Sequence, residues 1–294
     1  ATISFNEKRI IHASHPNFIA VYIYHDVINI IPINNEHSKR KQKSYIINLL
    51  QPNVVNMAFL GPTSCSARIA FIADSSNASR TLVVYKYSEA SDDFVYEFEF
   101  ELPPDSYYII PIHPELQSTL AVIASDGIIR VTAPEGLPYT AERLSSFMPP
   151  IIIHACHFFD DIYLLCDACG GLSGMRLPVE GPIATENCKI VGPTSGIVSS
   201  DPNHFFVSSP FGDFVGYTFI KHENYIQIDE YSRISSIGPV YYLECSNDGL
   251  ICGTGRGESS AIRLFERPIT CEKIGEINIE NCLAIFTASA ARDP

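Results

Sequence analysis

The sequence predicts an all-β protein built as a β-propeller, and three observations carry that expectation. Hydrophobic residues make up 46% of the chain, and 15 Tyr and 17 Phe join abundant Ile and Val, a composition suited to pleated, half-buried surfaces. The apolar runs are short, are separated by tight-turn residues and show no long amphipathic helical period. Aligning the strand that follows each tight turn gives a recurrence of about 40–55 residues, the range of a four-stranded propeller blade. A sandwich would give strands without this grouping. About six such units are visible in the 294 residues, a length that all-β folds reach as single domains.

Taken in order, Phe18 to Ile33 reads as a hairpin turning at His25-Asp26, with Pro32 at a strand end. Strands follow at Ser44 to Leu50, Val54 to Leu60, Arg68 to Ala73 and Thr81 to Tyr87. Phe94-Val-Tyr-Glu-Phe-Glu-Phe100 alternates as a strand with one wet face should, and Pro103-Pro104 ends it. Glu97, Glu99 and Glu101 read as its solvated side. Three trios of strands come next. Tyr107 to Thr132 turns at Ser125-Asp-Gly127, Ile151 to Leu177 at Asp167-Ala-Cys-Gly-Gly171, and Ile197 to Ile220 at Pro210-Phe-Gly-Asp213. The last full unit runs from Val240 through the hairpin signal Asn247-Asp-Gly249 and a Gly-rich turn to Phe265. Each unit has apolar faces that it cannot bury alone, so neighbouring units must cover them.

The formal net charge of −13 builds a field that repels phosphate backbones, which disfavours direct nucleic-acid binding. The dense basic run Lys39-Arg-Lys41 with Lys43 reads as a solvated loop. Nine scattered cysteines suit a reducing intracellular compartment better than a disulfide framework. The sequence has neither an apolar run of membrane-spanning length nor a signal-like opening. It begins at Ala1 without Met, as a piece of a longer chain would.

Two motifs invite chemistry. Gly253-Thr-Gly-Arg-Gly-Glu-Ser-Ser260 has the glycines of a phosphate loop, but a strand-like segment follows where a helix is needed, and no Lys occupies the position that would reach the phosphates. A bulged inter-strand turn is the better reading. Cys166 and Cys169 form a Cys-x-x-Cys pair, with His154 and Cys156 one strand earlier as further candidate zinc ligands. The pair sits on a hairpin turn, however, and no second Cys-x-x-Cys exists, so a structural role is favoured and no cofactor is expected. No nucleophile elbow, His-x-x-x-His pair or acid/base pair stands out. A propeller enzyme would gather such groups around its channel from different blades, so the sequence suggests no enzyme without testing the point.

The stretch Ile237-Gly-Pro-Val240, followed by a strand and Cys252-Gly-Thr-Gly-Arg-Gly-Glu-Ser-Ser-Ala-Ile-Arg-Leu264, resembles the end of the first propeller in the family of damaged-DNA-binding protein large subunits. That family includes related splicing and polyadenylation scaffolds. Ile31-Pro-Ile33, Tyr45-Ile-Ile-Asn-Leu49 before Val54-Val-Asn-Met-Ala-Phe-Leu60, Tyr163-Leu-Leu-Cys-Asp167 and Phe206-Val-Ser-Ser-Pro-Phe-Gly-Asp213 fit in the same order. The resemblance implies a seven-bladed first propeller over residues 1–270, its N-terminal closing strands absent, and an exit segment at 271–294 leading toward a second propeller. It also implies a non-enzymatic scaffold for protein partners, nuclear with the cytoplasm as the alternative location, and with no membrane role. In the cullin-4 ubiquitin ligase adaptor the first and third propellers grip substrate receptors while the second carries the cullin. By position, the receptor-facing loops fall on Pro210, Phe211, Pro239, Tyr241, Arg256 and Gly257. Pro239 and Gly212 match the family pattern. Pro210 stands where the adaptor has Arg, and Arg256-Gly257 replace a small-plus-aromatic pair. These departures point to a divergent relative with its own partner, of the kind found among fungal adaptors for heterochromatin silencing. The Gly-Arg-Gly-x-Ser-Ser pattern also looks like the splicing scaffold.

Overall fold

Each apolar run becomes a strand, and hairpin turns join the strands into meanders. The computed structural model describes residues 11–15, 17–24, 26–33, 44–50, 53–61, 67–75, 79–112, 119–125, 127–132, 139–143, 151–178, 184–221, 226–234, 242–245, 250–254, 261–266 and 273–278. Among them lie six four-stranded antiparallel sheets, each with its strands side by side in chain order, and no helix.

The first sheet comprises β1 (Ile11–His15), β2 (Phe18–Tyr24), β3 (Val27–Pro32) and β4 (Tyr45–Asn48). The second comprises β5 (Val54–Leu60), β6 (Arg68–Asp74), β7 (Arg80–Ser88) and β8 (Asp93–Leu102). The third holds β9 (Tyr108–Pro111), β10 (Thr119–Ala124), β11 (Gly127–Thr132) and β12 (Thr140–Arg143). The fourth holds β13 (Ile152–Phe159), β14 (Ile162–Asp167), β15 (Gly171–Arg176) and β16 (Ala184–Ile190). β17 (Gly196–Asp201), β18 (His204–Ser208), β19 (Phe214–Lys221) and β20 (Ile226–Ile234) make the fifth. β21 (Tyr242–Cys245), β22 (Leu250–Thr254), β23 (Ala261–Glu266) and β24 (Lys273–Asn278) make the sixth, which thus runs past residue 270. This is the repeating unit of a β-propeller, as the spacing predicts.

The chain divides into two compact units. The first holds the first three sheets apart from the turn at 125–127, and the second holds the last three. Within each unit the first strands of successive sheets pack side by side, β1 on β5 and β5 on β9, then β13 on β17 and β17 on β21. The middle sheets therefore contribute to a core on each side. In the second sheet Val54, Met57, Phe59, Ile69 and Phe71 join the core shared with the first sheet. Val55, Ala70, Ile72, Leu82 and Val84 join the core shared with the third. Strict alternation would put Val55 and Met57 on one face. A break in the β5–β6 register between Val54 and Asn56 resets the parity, as a bulge does.

The first strand of each sheet is an edge, and its unpaired backbone groups need partners. Ile109 N–H donates to the Asn56 side-chain oxygen at 3.0 Å, tying β9 to β5. At the end of β1, buried His15 accepts from Asn17 N–H at Nδ1 (3.1 Å). Its proton therefore sits on Nε2, which donates to the Gly61 carbonyl at 2.7 Å. Burial holds His15 below its ordinary pKa of 6.5 despite the raising effect of the Gly61 bond, and burial does the same to His12 and His154.

These shifts fix the sign of a pH effect. A depressed imidazole means that the unfolded chain takes up protons first as pH falls, so stability is complete above about 6.5 and declines below it. Urea midpoints measured from pH 7.5 to pH 5 are expected to fall, with a shallower fall in the His15→Gln variant. A midpoint that is flat across this window would contradict the assignment.

Candidate partner-binding loop face

In an antiparallel four-stranded meander, the turn after the second strand and the link after the fourth lie at the same end of the sheet. In the second unit this end carries the turns 168–170 and 209–213 and the link 191–195. The hydrogen bonds agree. Ala168 N–H donates to Ile151 O at 2.8 Å, Val191 N–H to Gly170 O at 2.9 Å, and Ser195 N–H to Ser208 O at 2.8 Å.

The turn between β18 and β19 is fully bonded at its base. Ser209 N–H donates to Asp213 O (2.8 Å) and Gly212 N–H to Ser209 O (3.2 Å), while Phe211 N–H donates to the Ser209 hydroxyl at 3.0 Å. Gly212 takes φ 99°, a conformation that side chains resist, which explains a glycine here. Pro210 is half-buried, whereas Phe211 stands 76% exposed at the tip. Asp213, at the turn's foot, faces Arg233 at 3.8 Å. The Glu230 carboxylate, which accepts from Nε and Nη2 of that guanidinium at 2.7 Å each, holds it firmly charged.

The neighbouring turn of the fourth sheet is built by Asp167. Its Oδ1 accepts from Cys169 N–H at 2.7 Å and from Gly171 N–H at 2.9 Å, an Asx turn that positions an exposed Ala168 and Cys169. Ile151, 67% exposed, lies beside it. Sequence reasoning singled out Pro210 and Phe211 and missed Ile151, because an Ile that opens a strand after Pro149-Pro150 carries no mark of exposure. Pro239, Tyr241, Arg256 and Gly257 lie outside the described residues, as does most of the Gly-rich turn at 253–260.

Of the four sulfur and imidazole candidates, three lie together on the β13–β14 pair and Cys169 does not. In the β13–β14 ladder His154 faces Cys166, and Cys156 faces Leu164. Cys166 is fully buried in the core shared with the fifth sheet, with Cys156 packed against it. Burial pushes the Cys166 thiol up to about 12, and burial with the neighbouring Cys166 pushes Cys156 up further. Thiols held protonated in this way are inert toward metals and electrophiles at neutral pH. Cys169 sits apart on the exposed turn. Among the described residues no group of three His, Cys, Asp or Glu is placed to hold a metal ion.

Glu97 departs from the solvated row expected of it. The β7–β8 register breaks between Val84 and Tyr85, which pair with Phe98 and Tyr96, leaving Glu97 in a bulge. There it takes a fork of bonds from Arg68, Nε at 2.8 Å and Nη2 at 3.1 Å. Glu99 and Glu101 remain exposed.

No curated protein matches the chain. A family model described as the RSE1/DDB1/CPSF1 first beta-propeller matches residues 8–258, which encloses the first five sheets and the opening strands of the sixth. The resemblance read from the ordered segments thus holds at the level of the family, whose description joins all three branches. With a match across most of its length and a fold of repeated four-stranded sheets, the chain belongs to the RSE1/DDB1/CPSF1 first beta-propeller family.

Proposed function

We propose that the chain is a non-enzymatic scaffold that binds protein partners through the loop end of its second unit. The observation that carries this reading is Phe211, a large aromatic held in solvent by a turn whose own bonds are complete. A rigid, exposed aromatic costs little entropy to immobilise and buries much area on binding, which is why such residues anchor protein interfaces. The exposed Ile151 beside the next turn widens the apolar surface.

Within the family, the cullin-4 ubiquitin ligase adaptor is the reading we favour, acting in the nucleus in chromatin, DNA repair or heterochromatin silencing. The loop surface would take a substrate receptor or complex subunit, and the cullin would contact another propeller of the parent chain. The net charge of −13 argues against direct contact with DNA or RNA. The Gly255-Arg-Gly-Glu-Ser-Ser260 pattern favours a second reading, a scaffold of pre-mRNA splicing or of 3′-end cleavage and polyadenylation.

Affinity purification of the native protein separates the two. Recovery of a cullin-4 ligase is the expected result. Recovery of splicing or cleavage factors without a cullin would replace the first reading with the second, and recovery of neither would remove both.

A further inference from the structure

Among the described residues the outer strand of every sheet has one edge without a strand partner, and β8 differs from the others whose side chains are described. At 10 residues it is the longest of the described strands, against 4 in β4 and 4 in β12. β20 is of similar length but mixes its charges, with Arg233 and Glu230 paired along it. Beyond the bulge at Glu97, β8 runs without a further break from Phe98 to Leu102, in register with Val84 to Arg80. Its side chains there are sorted. Phe98, Phe100 and Leu102 pack into the core shared with the third sheet, while Glu99 and Glu101 face water. Val95 and Tyr96, 42% and 54% exposed, extend the strand's open surface.

An unpaired edge offers alternate N–H and C=O groups to any extended chain that can approach it. The carboxylates decide which chain can. A second copy of β8 would bring Glu against Glu, and like charges on adjacent strands repel. A strand carrying Lys or Arg at alternate positions would meet Glu99 and Glu101 with opposite charge, its remaining side chains lying over the apolar side. We infer that the free edge of β8 is a docking site for an extended basic segment of a partner protein, added as a fifth strand to the second sheet. This site is separate from the loop surface at Phe211 and does not depend on it.

The test is a fluorescence titration of the full chain with a labelled, capped peptide alternating Lys and Val. Three comparisons accompany it: the same peptide with Glu for Lys, the Lys peptide N-methylated at alternate amides, and the Glu99→Lys/Glu101→Lys protein. The proposal expects saturable binding of the Lys peptide and loss of binding on N-methylation. It also expects a drop of about fivefold or more in the double variant, which should gain affinity for the Glu peptide. Binding that survives N-methylation would mean attraction to charge without strand pairing and would overturn the proposal, as would no binding of the Lys peptide. Should the double variant not fold, the N-methylated and Glu peptides on the unaltered protein still decide the matter.

Discussion

Replacing Phe205 or Phe206 with Ala is expected to cost about 3–5 kcal/mol each, the range for deleting a fully enclosed aromatic. Both rings are 0% exposed although they are adjacent in sequence, because the two faces of β18 serve different cores. Phe205 stacks on Tyr217, centroids 5.3 Å apart, and meets Phe158 of the fourth sheet edge-on at 5.8 Å. Phe206 lies parallel to Phe214 at 5.4 Å and shares its core with Leu243 of the sixth sheet. The two substitutions thus loosen opposite sides of one blade. Urea unfolding followed by far-UV circular dichroism measures both. A cost below about 1.5 kcal/mol at either site would mean that the corresponding sheet-to-sheet core is not packed as described.

Gly170→Ala is expected to be the most damaging single-methyl change in the second unit. The added Cβ would stand 2.5–2.8 Å from the backbone of Gly192, and φ is +86°. Gly192 provides the control. Its φ is +83°, but an added Cβ meets nothing within 4 Å, so Gly192→Ala carries only the left-handed backbone cost of about 1–2 kcal/mol. Gly170→Ala adds a collision between two main chains, which no rotamer relieves. Thermal midpoints should therefore fall further for Gly170→Ala than for Gly192→Ala. Equal falls would show that the turn at 168–170 and the link at 191–195 do not touch.

The inner three strands of most sheets were legible in the sequence, and the outer ones largely were not. Val54 to Leu60 and Arg68 to Ala73 stand out because they are buried on both faces and read as apolar runs, and Thr81 to Tyr87 because its Leu-Val-Val centre does. The outer strand Thr-Ala-Glu-Arg of β12 is exposed at every position, so neither hydrophobic period nor β-propensity marks it. Ala184–Ile190 and Lys273–Asn278 are hidden for a related reason, as polar outer strands with no apolar run. Turn chemistry was readable at the positive-φ glycines Gly127, Gly170 and Gly212, and not at Gly61 or Gly192. The fate of Glu97 was not, because a one-residue bulge changes which face a carboxylate takes. The loop surface was half legible. Pro210 and Phe211 follow from the turn they sit in, whereas Ile151 is placed beside its turn by a hydrogen bond from Ala168 N–H, seventeen positions further along the chain.

The central claim is that the loop end of the second unit grips a protein partner, with Phe211 as an anchor. The most direct measurement is quantitative recovery of co-purifying subunits by the native protein and by its Phe211→Asp variant, with the thermal midpoint of each. Phe211 is mostly in solvent, so the midpoint should not move. Loss of an anchoring aromatic removes about 2 kcal/mol or more of binding energy, roughly thirtyfold in affinity, so recovery should collapse. Full recovery of the partner by a folded Phe211→Asp variant would contradict the account.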